Sequence, residues 1–252
     1  MGDGGLCVGA ALNINASKPG LVKSMYLGSR FQGEELEKAL QKFPNLLISK
    51  PDNLAREAAK LIAEENIVAR FDGKMEFGPR ALGNRSILYQ CGDQSVNDWL
   101  NRQLKRTEFM PFAPICIYED AAEYFEIREG ELRPCEYMTL VVRCTRKMIE
   151  TCPAAVHVDG TARPQLLRRE TNPEMYAILS EYKKLTGISC LINTSFNMHE
   201  EPIVRTPEEA LVAFQQSNLD VLNIGPYLVT QSKINNFSRK ENQFRDIDTV
   251  EK

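Results

Sequence analysis

The sequence is poor in histidine and lacks the patterns that accompany metal sites, export or membrane insertion. Only two of its 252 residues are histidines, His157 and His199, so no histidine-rich metal centre is expected within it. The seven cysteines are odd in number and form no C-x-x-C pair. No long apolar run or leader-like segment is visible either. Together these absences predict a cytoplasmic protein with reduced thiols.

A strong excess of charge is also missing. The formal net charge is −3, so no overall basic field predicts a nucleic-acid partner, and no membrane partner is expected. With 43% hydrophobic and 26% charged residues the composition is that of an ordinary globular protein, and the length allows a large core. Local basic clusters remain able to bind small anions.

Strand-like and helix-like patterns alternate along most of the chain. Apolar, β-branched runs predict strands at "NIVARF", "SILYQ", "FAPICIY", "YMTLVVRC", "AAVHVDG" and "ISCLINTSF", and two short ones within "DVLNIGPYLVT". Apolar spacing and capping residues predict helices over 33–43, from Asp52 to about Glu65, over 93–105, over 172–186, and in "TPEEALVAFQQS". This alternation predicts an α/β (α+β) fold with a mixed sheet and flanking helices.

The stretch "FDGKMEFGPRALGNRSIL", residues 71–88, combines glycines with two arginines between apolar runs. Its glycines allow a tight turn and close approach of a ligand, and guanidinium groups match phosphate geometry. The candidate anion-binding residues here are Gly78, Arg80, Asn84, Arg85 and Ser86. The plainer alternative is a surface turn whose arginines pair with Glu76 or nearby acids. The stretch is not a P-loop, because G-x-x-x-x-G-K-[ST] does not occur.

Three further segments place polar side chains at predicted strand ends. Lys105 and Arg106 precede "PFAP", although a helix end would also favour cations there. Arg163 follows the turn of "HVDGTARPQ", whose His157 is interpreted as structural. "INTSFN" offers four short polar residues, Asn193, Thr194, Ser195 and Asn197, unless they form a plain turn. No triad spacing accompanies Ser195, which is therefore a candidate hydrogen-bonding group and not a nucleophile. The four segments together predict a cradle for a polyanion such as ATP.

In the same order, "GKMEFGPRALGNRSIL", "LNRQLKRTEFMPFAP", "HVDGTARPQ" and "LINTSFNMHEEPIVRTPEEAL" closely resemble the C-terminal part of NodU/CmcH-type (TobZ-like) O-carbamoyltransferases. The resemblance extends from about Tyr26 to Thr230. It implies a YrdC-like domain over 26–231, preceded in 1–25 by a connector and the end of an actin-like domain. The polar segment 232–252 is predicted to be a mobile tail.

The resemblance also implies roles for individual residues. Arg80, Lys105, Arg163 and Ser195 would be the catalytic residues that contact the phosphates and the carbamoyl group, and the other candidates named above would support them. ATP and carbamoyl phosphate would be the substrates, with Mg²⁺ expected beside ATP. Fe²⁺ or a similar metal would belong only to the actin-like domain. One departure is Met110, where many family members carry arginine.

The predicted function is formation of carbamoyladenylate for transfer of a carbamoyl group to a hydroxyl of a small molecule or glycan. The actin-like domain is the expected partner, and homodimer formation is left open. Two alternatives remain: an enzyme like threonylcarbamoyladenylate synthase that serves tRNA modification, and a nucleotide-binding module without catalysis.

Overall fold

The computed structural model describes residues 5–14, 23–94, 112–198 and 200–231. Within them the helices are α1 (Leu6–Ile14), α2 (Glu34–Gln41), α3 (Leu54–Ala63), α4 (Ala121–Tyr124), α5 (Leu132–Cys135), α6 (Arg146–Thr151), α7 (Pro173–Thr186) and α8 (Pro207–Ser217). The strands are β1 (Leu46–Ser49), β2 (Val68–Phe71), β3 (Arg85–Tyr89), β4 (Ala113–Ile117), β5 (Phe125–Glu126), β6 (Val142–Cys144), β7 (Thr161–Ala162), β8 (Gln165–Leu167), β9 (Cys190–Ser195), β10 (Val221–Ile224) and β11 (Tyr227–Gln231).

The helices begin and end at residues that satisfy their free backbone groups. The Asn172 side chain accepts from the backbone N–H of Met175 and starts α7, which ends at Gly187 with φ of 78°. Thr206 forms a capping box with Glu209 at the start of α8. Both helices are where the sequence predicts them. For α3 the cap is Asn53, one residue later than the predicted Asp52.

Eight strands form one mixed sheet in the order β1-β11-β10-β2-β3-β9-β4-β8, and β5-β6-β7 form a second, smaller sheet. In the large sheet, β10 and β2 are parallel, as are β4 and β8. The other neighbours are antiparallel. Strand β9 therefore lies between β3 and β4, two strands that each adjoin one of the polar segments identified in the sequence. The predicted α/β class with a mixed sheet is confirmed.

The large sheet buries apolar side chains on both faces. On one face α3 packs against α7, and Ile62, Met175 and Leu179 lie in a core with strand residues such as Leu88. On the other face α2 packs against α8, and the core there continues to the small sheet. Burial on both faces explains why several strands are continuous apolar runs. This packing fixes the strand ends from which the polar segments emerge.

Two strand predictions need correction. "AAVHVDG" is not a strand: Pro153–Ala155 form a 3₁₀ turn, and a tight turn follows in which the backbone N–H of His157 donates to the carbonyl of Thr161. Its first residues are buried side chains of a turn, a pattern that apolar content alone does not separate from a strand. In "YMTLVVRC" only Val142–Cys144 pair as a strand.

Some predictions fall partly or wholly outside the described residues. The predicted helix over 93–105 and the predicted tail over 232–252 belong to this group. Residues 6–14 form α1, whose side chains are exposed, and the domain boundaries drawn at 25 and 231 stay predictions.

Six cysteines are buried as free thiols and Cys7 is exposed. No helix in the described part of the chain is both long and apolar enough to cross a membrane.

Candidate anion-binding site

The glycine-rich loop between β2 and β3 is organised around one buried carboxylate, that of Glu76. Its Oε1 accepts from the backbone N–H groups of Leu82 at 2.8 Å, Asn84 at 2.7 Å and Arg85 at 3.1 Å. A carboxylate that accepts several backbone N–H groups makes strong, charge-assisted hydrogen bonds. Glu76 therefore fixes the loop by binding its backbone N–H groups. The alternative drawn from the sequence, a surface ion pair between Glu76 and an arginine, does not describe this arrangement.

Arg85 belongs to this scaffold. Its guanidinium is fully buried, stacks 3.8 Å from the centre of the Phe71 ring, and donates to backbone carbonyls, including that of Asp72 at 2.8 Å. Burial lowers its pKa to about 10, against the opposing effect of Glu76. The geometry does not support the prediction that Arg85 is a second phosphate-binding fork, because both of its terminal nitrogens donate to backbone carbonyls inside the protein and its Nε is buried.

Asn84 and Ser86 are also part of the scaffold. The Asn84 Oδ1 accepts from Arg70 at 3.0 Å and from Asn172 at 2.9 Å, while its Nδ2 donates to the carbonyl of Lys74. The Ser86 hydroxyl accepts from the backbone N–H of Gly83 at 2.9 Å. Both side chains are buried. They hold the loop, and the geometry does not support the prediction that they contact a ligand.

A cavity of about 70 Å³ lies beside this loop. Its walls come from the loop, the start of β4, the segment after α5, the β7–β8 turn and the end of β9: Pro79, Arg80, Ala81, Phe112, Ala113, Met138, Arg163, Asn193, Thr194 and Ser195. The structure thus brings together candidates from three of the predicted segments: Arg80, Arg163, and the residues Asn193, Thr194 and Ser195. The volume is enough for roughly five water-sized groups.

Two arginines line this cavity. Arg80 is exposed and Arg163 is partly buried, and neither makes an ion pair with any residue that the structure describes. The Nε of Arg163 is buried and has no hydrogen-bond acceptor among those residues. Burial, and then the nearby charge of Arg80, lowers the pKa of Arg163. Two like charges held together are unfavourable until an anion lies between them.

The polar end of β9 supplies the uncharged side of the cavity. Asn193 and Ser195 are two residues apart on a strand, so their side chains lie on the same face. The Ser195 hydroxyl donates to Asn197 Oδ1 at 2.6 Å. Asn197 is itself oriented by donating to the carbonyls of Met198 and Glu201. Asn197 is thus placed behind Ser195, as the support of that hydroxyl, and does not line the cavity.

The remaining predicted residues differ in position. Gly78 has φ of 111°, a conformation that favours glycine, and lies next to Pro79 without lining the cavity. Lys105 and Arg106 lie outside the described residues, so their proposed contacts stay predictions. Sequence reasoning missed the roles of Glu76 and Gln165. Gln165 is buried, and it follows Arg163 within the "TARPQ" motif, which is the signal that could have drawn attention to it.

The mixed sheet and the two arginines at the cavity, which make no ion pair within the described ranges, define an α/β domain with a candidate anion site. Comparison with known proteins names the family: residues 59–231 match the family model described as carbamoyltransferase C-terminus. This match covers most of the chain, and the chain therefore belongs to that family. The resemblance to NodU-type proteins drawn from the four motifs is confirmed.

Relatives support the assignment. The chain is 38% identical to a protein of Methanocaldococcus jannaschii over 91% of this chain and 39% of that protein. It is 37% identical to nodulation protein NolO of Bradyrhizobium diazoefficiens, over 90% of this chain and 43% of NolO. It is 34% identical to nodulation protein U of Rhizobium tropici, over 78% and 33% respectively. The chain thus spans less than half the length of these curated relatives.

A solved structure shares the fold. The crystal structure of full-length HypF in the phosphate- and nucleotide-bound form superposes with a TM-score of 0.51 at 21% sequence identity, over 69% of this chain and 25% of HypF. At this identity the likeness establishes the fold alone, and it agrees with the α/β class predicted from the sequence.

Proposed function

We propose that this chain binds carbamoyl phosphate and ATP at the cavity and forms carbamoyladenylate, from which the carbamoyl group passes to an acceptor hydroxyl. The observation that carries the proposal is the pair of arginines, Arg80 and Arg163, that share one cavity without a described acidic partner. Membership of the carbamoyltransferase C-terminus family gives the chemical class of the group transferred. HypF, which shares the fold, was solved with phosphate and nucleotide bound.

The charge of the cavity suits the proposed chemistry. Release of phosphate from carbamoyl phosphate by water gives carbamate. A carbamate oxygen then bonds to the α-phosphorus of ATP as the bond from that phosphorus to pyrophosphate breaks. Negative charge gathers on the phosphoryl oxygens and on the leaving pyrophosphate in this step. Guanidinium groups that are already in position stabilise that charge without reorganisation. Arg80 and Arg163 would act in this way, and Lys105 is proposed as a third cation.

The uncharged side of the cavity, at the end of β9, would orient the carbamoyl group. Ser195 and Asn193 offer oxygen atoms on one face of β9. The apolar side chains of Phe112 and Met138 complete the cavity and would limit access of water. The cavity is small for a whole nucleotide, so adenosine would extend beyond it. Partial enclosure of the reacting groups is what an electrostatic mechanism requires, because charges interact more strongly where water is excluded.

Mg²⁺ is proposed as a companion of ATP. No cluster of three or more histidine, cysteine or acidic side chains suited to a metal ion occurs among the described residues. The oxygen donors at the cavity, on Ser195 and Asn193, are neutral. Such a set fits an ion that arrives with the nucleotide and takes most of its ligands from phosphate and water. When bound, Mg²⁺ would neutralise part of the phosphate charge.

Pyrophosphate release tests the proposal directly. The purified chain is incubated with ATP and carbamoyl phosphate, with and without Mg²⁺, and we expect release that depends on both substrates. Arg80→Ala should reduce the rate strongly, whereas Arg56→Ala, which removes an exposed arginine on α3, should not. Arg56→Ala removes one positive charge, as Arg80→Ala does, but at a position outside the cavity. Comparing the two variants therefore separates the loss of a local contact from a general change in net charge.

The same assay distinguishes the alternatives. Release that requires threonine and bicarbonate would indicate the synthase that serves tRNA modification. ATP binding without any release would indicate a nucleotide-binding module. An unchanged rate in both the Arg80→Ala and the Arg163→Ala variants would contradict the proposed site, because the two arginines are its central feature.

A further inference from the structure

Two buried side-chain amides form a chain of hydrogen bonds from the glycine-rich loop to the cavity. Gln165 Nε2 donates to the carbonyl oxygen of Leu82 at 2.8 Å. Asn193 Nδ2 donates to Gln165 Oε1 at 2.7 Å and to the carbonyl oxygen of Ala81 at 3.2 Å. Backbone carbonyls only accept hydrogen bonds. Both amides must therefore direct their NH₂ groups towards the loop, and the orientation of Asn193 follows from chemistry.

This orientation turns the side-chain oxygen of Asn193 away from the loop. Asn193 Oδ1 is buried and has no hydrogen-bond partner among the residues that the structure describes. The residue is 2% exposed and lines the cavity. A buried acceptor left without a donor is destabilising, and native proteins contain few of them. A donor supplied by a ligand in the cavity would remove this cost.

The neighbouring hydroxyl has the same polarity. Ser195 uses its hydrogen for Asn197 Oδ1, so only its lone pairs remain for a ligand. The cavity therefore has two contrasting sides. Arg80 and Arg163 provide positive donors, and Asn193 and Ser195, on one face of β9, provide acceptors. A ligand that fits both sides carries an anionic group and, a few bonds away, N–H donors.

We propose that Asn193 recognises the NH₂ group of the carbamoyl substrate and is the residue that selects it, with Gln165 as its positioning residue. This inference rests on the proposed function and adds the substrate feature that is read. Carbamoyl phosphate has a phosphate and a primary amide, and both N–H bonds of the amide can donate. Acetyl phosphate has the same shape with a methyl group in place of NH₂, and its methyl group leaves Asn193 Oδ1 unpaired.

The test compares these two ligands on the full chain. Dissociation constants for carbamoyl phosphate, acetyl phosphate and inorganic phosphate are measured by titration calorimetry for the wild type, Asn193→Leu, Gln165→Met and Asn66→Leu. We expect the wild type to prefer carbamoyl phosphate over acetyl phosphate at least tenfold, since sites built for an N–H group reject analogues that lack it. Asn193→Leu should lower that preference to about twofold or less by weakening carbamoyl phosphate.

Gln165→Met tests the positioning role. It keeps the side-chain volume and leaves Asn193 in place, but it removes the acceptor that orients the Asn193 amide. We expect the preference of Gln165→Met for carbamoyl phosphate over acetyl phosphate to lie between the wild-type value and the Asn193→Leu value. Its affinity for inorganic phosphate should be unchanged. Asn66→Leu is the matched asparagine control, because Asn66 donates to the carbonyl of Leu61 away from the cavity, and it should keep the full preference.

The outcomes separate this inference from the proposed function. The preference is a ratio taken within one variant, so a reduced folded fraction cancels, and thermal melting checks that each variant folds. A wild type that binds carbamoyl and acetyl phosphate equally, or an Asn193→Leu variant that keeps the preference, overturns the role of Asn193 while the anion site stands. If the wild type binds none of the three phosphate compounds, the proposed function fails as well.

Discussion

Glu76 provides the sharpest test of how the site is built. Its Oε1 accepts from three backbone N–H groups of the loop, and the residue is 6% exposed. In Glu76→Ala these three buried donors lose their acceptor. Each unsatisfied donor costs about 1–3 kcal/mol, and partial entry of water lowers the sum, so we expect the unfolding free energy to fall by roughly 3–5 kcal/mol. This is a large part of the ~5–15 kcal/mol of a typical domain.

Urea denaturation at equilibrium, followed by far-UV circular dichroism, measures this loss. Glu76→Gln keeps one acceptor oxygen, removes the charge and puts an NH₂ group in place of the buried Oε2, so we expect a smaller fall in unfolding free energy, of about 1–2 kcal/mol. Glu34→Ala is the control, since that side chain is 82% exposed and its ion pair with Lys38 contributes less than about 1 kcal/mol. If Glu76→Ala lowers the unfolding free energy by less than 1 kcal/mol, the loop does not depend on this carboxylate and the reasoning is refuted.

Three other predictions follow from the described contacts. Arg80→Ala should weaken inorganic phosphate binding by about 1.5–3 kcal/mol in calorimetry, because a charged hydrogen bond to the anion is lost. The melting temperature should not change, because the Arg80 side chain is exposed, and an unchanged phosphate affinity would count against the role of Arg80. Gly83→Ala should destabilise the protein by about 2 kcal/mol or more in urea, because Gly83 has φ of 103° and its Cβ would lie 3.1 Å from Met175 Cγ. Gly130→Ala, which meets no atom within 4 Å, should change stability far less. Burial lowers the pKa of His157 below its ordinary 6.5, so unfolding free energy should fall as pH decreases from about 6.5 towards 5, and His157→Gln should reduce that dependence. An identical pH profile in the variant would show that His157 is not the group responsible.

Local signals were enough for much of the fold. Asn172 and Gly187 mark the ends of α7, and Thr206, Pro207 and Glu209 mark the start of α8, because capping involves residues close in sequence. The strand prediction for "AAVHVDG" was wrong for the opposite reason. Burial there comes from the packing of a turn against distant residues, which a short apolar run cannot reveal.

The site was predictable in part. Arg80, Arg163 and Ser195 could be selected by residue type and by motif, and the structure brings all three to one cavity. Arg85 could not be separated from Arg80 by the same means, although both lie in one motif. Its position opposite Phe71 in the β2–β3 pairing turns its guanidinium inward, and that depends on register.

The sequence by itself determined the family, the alternation of strands and helices, and the chemical character of four polar segments, because motifs and caps are local. Only the tertiary structure decided which of those polar residues share a cavity. The pairing of β9 with both β3 and β4 joins segments that lie more than seventy residues apart. The tertiary structure also decided the roles of Glu76 and Gln165. Both act through hydrogen bonds to backbone groups of the loop, and these groups take up their positions only when the loop has folded.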